Sequence, residues 1–461
     1  MKKYIGDREF YKRVLLIAVP IMIQNGITNF VGLLDNIMVG QIGTDQMSGV
    51  AIVNQLIFVF SLSIFGGLSG PGIFGAQYYG KNQHEGIRNT FRFKIIIAAI
   101  VVATALIIFL CQGSTLIVQF LHEGGDTGDV QATLQYANIY LKIMLLGLLP
   151  FAINQCYAST LRETGETVVP MIGAVIAVFV NLFLNYVLIF GKFGAPQMGV
   201  SGAAWATVIS RFVESGIIII WTHMHTERNQ FIIGAYRTLS VPVNLTKNII
   251  IKGMPLMINE ILWASGVTML NQCYSTRGLA TVAAININST INNIFNVAFI
   301  ALGSSVSIIV GQLLGAGKME EAKDSDRKLI AFSVAICVLI GAIMAASSSL
   351  FPRLYNTTDE VRVLATKFIC ITAICMPFCA FTHAAYFTLR SGGKTIITFV
   401  FDSIFVWTIN VSIAYVLSRY TQMNIVFMYA IVQSLEFIKC IIGYVLVKSG
   451  TWLQNIVQDG D

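Results

Sequence analysis

The apolar runs constrain this chain more than any other feature. A bilayer span needs about 20 mostly apolar residues. Roughly twelve segments of that kind fall near 14–38, 48–78, 94–117, 135–160, 167–190, 199–221, 249–274, 281–312, 329–350, 363–389, 396–418 and 424–447. In lipid only helices and closed barrels satisfy their own backbone, and barrel strands would alternate apolar with polar. These runs do not alternate, so the expected fold is an all-α membrane protein of twelve transmembrane helices. Composition agrees: 55% of residues are hydrophobic and 11% charged, against about 25% charged in soluble domains. The longest loop, near 222–248, leaves no room for an ATPase domain with a Walker motif. Any work the chain does is expected to draw on an ion gradient.

The net charge of +7 acquires meaning from its placement. Lys2, Lys3, Arg8, Lys12 and Arg13 precede the first span. Lys81, Arg88, Arg92 and Lys94 follow the second, Arg228, Arg237, Lys247 and Lys252 the sixth, and Lys318, Lys323, Arg327 and Lys328 the eighth. Odd-numbered spans are followed by few. The positive-inside rule then puts both termini in the cytoplasm of a multi-pass plasma-membrane protein, expected to be prokaryotic. The same placement argues against nucleic acid as a partner. The first apolar run is too long for a signal peptide and lacks a small-residue cleavage pattern, and residues 2–13 read as a short interfacial helix. All eight cysteines lie within or at the ends of spans, where small thiols serve as apolar filler; no metal centre is expected from Cys375 and Cys379.

The chain repeats itself. At a constant offset of 235 residues Pro20 falls on Pro255, Asn36 on Asn271, Gly43 on Gly278, Gln77 on Gln312 and Gly80 on Gly315. Later in each half, Thr160-Leu161-Arg162 matches Thr388-Leu389-Arg390 at offset 228, with Gly165 on Gly393 and Thr167 on Thr395. Two lobes are expected, residues 1–230 with helices 1–6 and 231–461 with helices 7–12. An even number of spans per repeat makes both halves enter the membrane in one direction, so a pseudo-two-fold axis runs along the membrane normal. Paired bundles of this kind suit alternating access.

The motifs between the spans resemble the MATE (multidrug and toxic compound extrusion) family. They include Pro20 with Leu34-Asp35-Asn36-Ile37-Met38-Val39-Gly40, Gly75-Ala-Gln-x-x-Gly80, Leu161-Arg162 with Gly165, and Asn181-x-x-x-Asn185. Gly199-Val-Ser-Gly202-Ala-Ala-Trp-Ala-Thr207, Gly253-Met-Pro255 and Gly311-Gln-x-x-Gly315-Ala-Gly-Lys318 complete the series. Their order and spacing, over nearly the whole chain, carry the resemblance. It implies a secondary active exporter of organic, cationic, drug-like compounds in exchange for Na⁺ or H⁺, acting as a monomer in the lipid bilayer and needing no cofactor beyond that ion. The alternative within the same superfamily is a lipid or polysaccharide flippase. No His-Glu-x-x-His, Gly-x-Ser-x-Gly or acidic metal cluster points to an enzyme.

A charge at the bilayer centre costs about 2.5–3.5 kcal/mol on insertion scales, so each intramembrane ionisable residue needs a reason. At about 1.5 Å per residue, Asp35 lies roughly 30 Å up span 1, Asn181 and Asn185 roughly 20–27 Å up span 5 on one face, and Thr207 roughly 13 Å down span 6 from outside. All four reach one depth. A carboxylate, two amides and a hydroxyl are hard oxygen ligands suited to Na⁺, and a lone carboxylate holds a proton equally well. The plainer reading makes Asp35 a helix cap and the asparagines interhelical links. The resemblance assigns positions matching Asp35, Asn181, Asn185 and Thr207 to a cation or proton site, with asparagine at 185 where one branch of the family has aspartate. Glu260, with Asn259 beside it and Trp263 one turn on, lies near the midplane of span 7 and is expected to line a cavity or couple transport. Gln55, His383 and Asp402 are weaker candidates. Arg211 with Glu214, and Glu436 with Lys439, read as i, i+3 pairs that neutralise each other. Leu270 stands where the repeat would place a second Asp35, so coupling chemistry is expected in the first half. Phe58, Phe60, Phe65, Met257 and Trp263 are candidates to line an adaptable cavity for flat cations.

Overall fold

The computed structural model describes residues 4–123, 129–355 and 357–458; Lys2 and Lys3, counted above with the basic residues ahead of the first span, lie outside them. Among the described residues the chain is helical without strands. The long helices are α1 (Arg8–Gly40), α2 (Thr44–Gly80), α3 (His84–Glu123), α4 (Val130–Glu163), α5 (Val168–Phe190) and α6 (Val200–Met224), then α7 (Val243–Ser275), α8 (Leu279–Gly315), α9 (Met319–Ala346), α10 (Asp359–Ser391), α11 (Thr395–Tyr420) and α12 (Ile425–Ser449). Eleven are long and apolar enough to cross a membrane. The remaining one, α7, is interrupted by Lys247, Lys252, Asn259 and Glu260, which lowers its hydropathy without shortening it. Two helices depart from regular α geometry: α4 passes through a 3₁₀ turn at Leu145–Gly147, and α11 through π turns at Val400–Ile404 and Val406–Val411.

The interfacial helix expected over 2–13 does not exist as a separate element. Asp7 Oδ1 accepts the Phe10 N–H at 2.7 Å, and from Arg8 the helix continues through Pro20 to Gly40. Val14, Ile17, Ala18 and Ile21 recur at helical spacing and are buried in a protein core with α8, α9 and α10.

The chain divides into two compact units: one comprises residues up to Met22, Ala76–Gln83 and Lys247 onward, the other Ile23–Gly75 and His84–Thr246. The division thus falls after Thr246, within the first turn of α7, where 230 was expected, and two short stretches of the first half join the second-half unit. In that unit α10 is central, packed by α8, α9 and α12. In the other, α5 pairs with α6, and α4 lies against α3 and α6.

The repeated Gly-x-x-Gly motifs have a steric cause. A Cβ on Gly80 would lie 1.8 Å from the Gln312 carbonyl oxygen, and one on Gly315 would lie 1.9 Å from that of Gln77. The ends of α2 and α8 therefore touch backbone to backbone through residues equivalent by repeat, and only glycine permits it. The segment after α12 straps this junction. Gln77 Nε2 donates to Ser391 O at 2.9 Å and Gln454 O at 3.2 Å, and its Oε1 accepts the Ile456 N–H at 2.8 Å. Asn455 Nδ2 donates to Gly315 O at 3.1 Å and Lys81 Nζ to Val457 O at 3.1 Å. The strap is anchored by Trp452, 1% exposed, whose Nε1 donates to Val447 O.

The Thr-Leu-Arg repeat also has a packing role, with its charge reversed between halves. Lys94 Nζ, fully buried, donates to both Glu163 carboxylate oxygens at 2.7 Å and to Thr160 Oγ1 at 2.9 Å. In the second half the equivalent threonine, Thr388, donates its hydroxyl to the buried Asp326. A shared threonine joins the corresponding helices in each case, to a cation in one half and to an anion in the other.

Candidate functional site

Three helices each turn one stripe into a common cavity of about 420 Å³. On α1 the stripe is Thr28, Gly32, Asp35 and Val39; on α5 it is Ala174, Ala177, Asn181 and Asn185; on α6 it is Ala203, Thr207, Ser210 and Glu214. Spacings of three and four put each set on one helical face. The opposite face of α5 carries Phe179 and Phe183, 67% and 59% exposed, as a lipid-facing side requires. Small residues within the stripes leave the space that the polar ones occupy.

The four polar residues singled out from the sequence come together there. Asn185 Nδ2 donates to Asp35 Oδ1 at 2.6 Å and to Asn181 Oδ1 at 3.1 Å; Asn181 Nδ2 reaches Thr207 Oγ1 at 3.4 Å. Asn181 and Asn185 are 4% and 1% exposed. Asn185 Oδ1 is buried with no hydrogen-bond partner, a rare condition for a buried polar atom. Among the described residues Asp35 enters no ion pair, although Arg211 and Glu214 line the same cavity. The arrangement offers a carboxylate, amide oxygens and a hydroxyl around a space with one acceptor left over.

Two further members were not evident from sequence. Tyr140 on α4 lines the cavity, bonds Thr207, and its hydroxyl donates to Asn54 Oδ1 at 3.4 Å. Asn54 lines the cavity from α2, while Gln55, the residue chosen from sequence, does not. One residue along a helix is a rotation of about 100°, enough to turn Gln55 away. Of the aromatic candidates Phe58 lines the cavity; Phe60 and Phe65 do not. Arg211 does not pair directly with Glu214: its Nη1 donates to Gly147 O at 3.3 Å and its guanidinium lies over the Phe151 ring.

The second-half candidates form a separate polar cluster within the other unit. Asp402 accepts from Lys439 Nζ at 2.7 Å and from Asn259 Nδ2 at 3.0 Å; Ser403 Oγ donates to Asn259 O and Oδ1 at 2.8 and 2.7 Å. Lys439 therefore pairs with Asp402, not with Glu436, whose carboxylate accepts from Thr382 at 3.2 Å. Arg390 and Asp402 are the charged neighbours of Glu260. His383 Nδ1 lies 3.2 Å from Cys379 O and its ring 4.6 Å from that of Phe299. Trp263 is 39% exposed and makes none of these bonds.

Apolar helices duplicated in two halves, with a cavity lined by polar side chains inside one of them, define a multi-spanning membrane carrier. The sequence model of the MatE family matches residues 20–187 and 255–416, one stretch in each half. The chain belongs to the MatE family, whose members are membrane transporters and not enzymes. It is similar to the "Probable multidrug resistance protein NorM" of Thermotoga maritima, 26% identical over 419 residues that cover 90% of this chain and 88% of the relative. It is also similar to the "Probable multidrug resistance protein YoeA" of Bacillus subtilis, 25% identical over 90% of this chain and 88% of the relative. A crystal structure of MATE in complex with MaL6 shares the fold with a TM-score of 0.85 at 19% identity, covering 98% of both chains.

Proposed function

We propose that this chain is a plasma-membrane multidrug exporter with cytoplasmic termini, that it expels organic cations, and that Na⁺ entering the Asp35 cavity drives it. One observation carries the ion assignment: a carboxylate without an ion-pair partner stands beside the orphaned Asn185 Oδ1, with Asn181 and Thr207 within one hydrogen-bonded chain. A proton needs only the carboxylate, whereas Na⁺ needs several neutral oxygens around it. The relatives named as multidrug resistance proteins support the substrate class. So do Tyr140 and Phe58, aromatic faces in the same cavity as the carboxylates of Asp35 and Glu214. Its volume of about 420 Å³ lies within the range of drug-sized sites, about 300–1,000 Å³.

Energetics permit either ion. One charge moving down 100 mV yields about 2.3 kcal/mol, against about 1.4 kcal/mol per tenfold substrate gradient. The deciding experiment is efflux of a fluorescent organic cation from proteoliposomes with an imposed Na⁺ gradient at equal pH. Stimulation by Na⁺ is expected; efflux driven by a pH gradient alone, in Na⁺-free buffer, would make the ion a proton held by Asp35.

A further inference from the structure

A second cavity, of about 610 Å³, lies between the start of α9 and the end of α12 and is lined in part by Trp452. It does not belong to the transport site described above. Both helices change character at its level: on α9 the charged run Lys323–Lys328 gives way to Leu329 and Ile330, and on α12 apolar residues up to Val447 give way to Lys448. Such a step marks the boundary between headgroups and hydrocarbon. Ile330, Val334 and Phe381 line the apolar limb, and Lys323, Arg327 and Lys448 the polar one.

These three cations enter no ion pair among the described residues. Lys448 lies over the Tyr444 ring at 5.7 Å, which holds its ammonium at the cavity edge. Among the described residues the only carboxylate lining the cavity is Asp326, 0% exposed. Its Oδ1 accepts the Thr388 hydroxyl, and its Oδ2 is buried with no hydrogen-bond partner. Three cations against one carboxylate leave net positive charge, which calls for an anion. An orphaned buried acceptor calls for a hydroxyl donor, and the apolar limb calls for a hydrocarbon chain.

We propose that this cavity binds one anionic phospholipid bearing a hydroxylated headgroup, of the phosphatidylglycerol type. Its phosphodiester lies among Lys323, Arg327 and Lys448, a headgroup hydroxyl donates to Asp326 Oδ2, and an acyl chain follows Ile330 and Val334. A free phosphate satisfies the cations but leaves the apolar limb empty. Phosphatidylcholine brings its own cation and no hydroxyl.

The test is a lipid titration of the purified full chain in detergent, read as retained adducts by native mass spectrometry. Each basic side chain near a lipid surface favours an anionic lipid by about fivefold, so phosphatidylglycerol is expected to bind on the order of a hundredfold tighter than phosphatidylcholine. Phosphatidylmethanol, with the same charge but no hydroxyl, is expected to bind more weakly than phosphatidylglycerol. sn-Glycerol 3-phosphate is expected not to compete. The triple variant Lys323→Gln, Arg327→Gln, Lys448→Gln is expected to lose the preference, and Ala335→Trp, which fills the apolar limb without altering charge, to lose the adduct. Lipid-free melting profiles of both variants establish that they are folded, and the triple variant carries the test if the tryptophan is not tolerated. Equal binding of phosphatidylglycerol and phosphatidylcholine, equal binding of phosphatidylmethanol, displacement by sn-glycerol 3-phosphate, or an unchanged preference in the folded triple variant would each overturn the proposal.

Discussion

Asp35 and Asp402 are both carboxylates inside apolar helices, and their surroundings differ in one respect that decides what each does. Asp35 is held by the Asn185 amide and has no ion pair; Asp402 is bound by the Lys439 ammonium at 2.7 Å. The first keeps an unbalanced negative charge, which the membrane tolerates only with an added cation or proton. The second has its cation built into the protein, as the ammonium of Lys439, a residue 6% exposed. A mobile ion has something to gain at Asp35 and little at Asp402. Neither carboxylate has a counterpart at the matching position of the other half, so the two surroundings arose separately, and on the proposed function Asp35 is the exchangeable one.

The sharpest way to break this comparison is to neutralise Asp35. Asp35→Asn keeps the shape and the bond from Asn185 but removes the charge, and it is predicted to abolish ion-driven efflux while leaving expression and melting temperature unchanged. Wild-type transport by the reconstituted variant would contradict the assignment. The next largest effect is on stability. Asp402→Ala leaves Lys439 buried without its ion-pair partner, and a broken buried pair costs about 3–5 kcal/mol, so a marked loss of thermal stability is predicted. The double variant Asp402→Leu, Lys439→Met removes both charges and is predicted to recover stability and retain transport. If it is stable but inactive, Asp402 takes part in coupling and the contrast drawn above fails.

Smaller effects grade the site itself. Asn185→Leu removes a hydrogen bond to a charged group, worth about 1.5–3 kcal/mol, and is predicted to weaken Na⁺ activation about tenfold while disturbing drug binding less. An equal loss in both, measured by Na⁺-dependent and Na⁺-free substrate binding, would make Asn185 a general packing residue. Tyr140→Phe loses only a long hydroxyl contact, worth about 1 kcal/mol or less, and a change of a few fold in transport rate is expected.

How much of this was legible depended on whether a residue's reason for being there is local. Asp35, Asn181, Asn185 and Thr207 stood out because each is a polar residue in an apolar run, and a ruler of 1.5 Å per residue suffices to bring them to one depth. Tyr140 did not, because a tyrosine in a span is ordinary amphipathic filler, and only the rotation of α4 aims its hydroxyl inward. Gln55 is a candidate from the sequence while its neighbour Asn54 lines the cavity, because two adjacent polar residues in an apolar run do not say which face turns inward. The pairing of Lys439 was misread for a different reason: Glu436, three residues away, is the natural partner along a helix, but Asp402 approaches from α11, where π turns interrupt the 3.6-residue period that sequence reading assumes. The repeat at Gln77–Gly80 and Gln312–Gly315 was visible as a pattern, while its cause, mutual backbone contact, is visible only in three dimensions.

The strap over that contact puts a clock on the molecule. The Gln77 amide finds its partners in Gln454 and Ile456, 377 and 379 residues later in the chain. At about 5–20 residues per second of synthesis, tens of seconds separate the appearance of Gln77 from that of its strap. During that interval α3 to α12 emerge, yet the α2–α8 junction lacks its last bonds. Whatever inserts and assembles the helices must therefore work on a chain whose α2–α8 junction is not yet tied, and the tie forms only after α12 has been made.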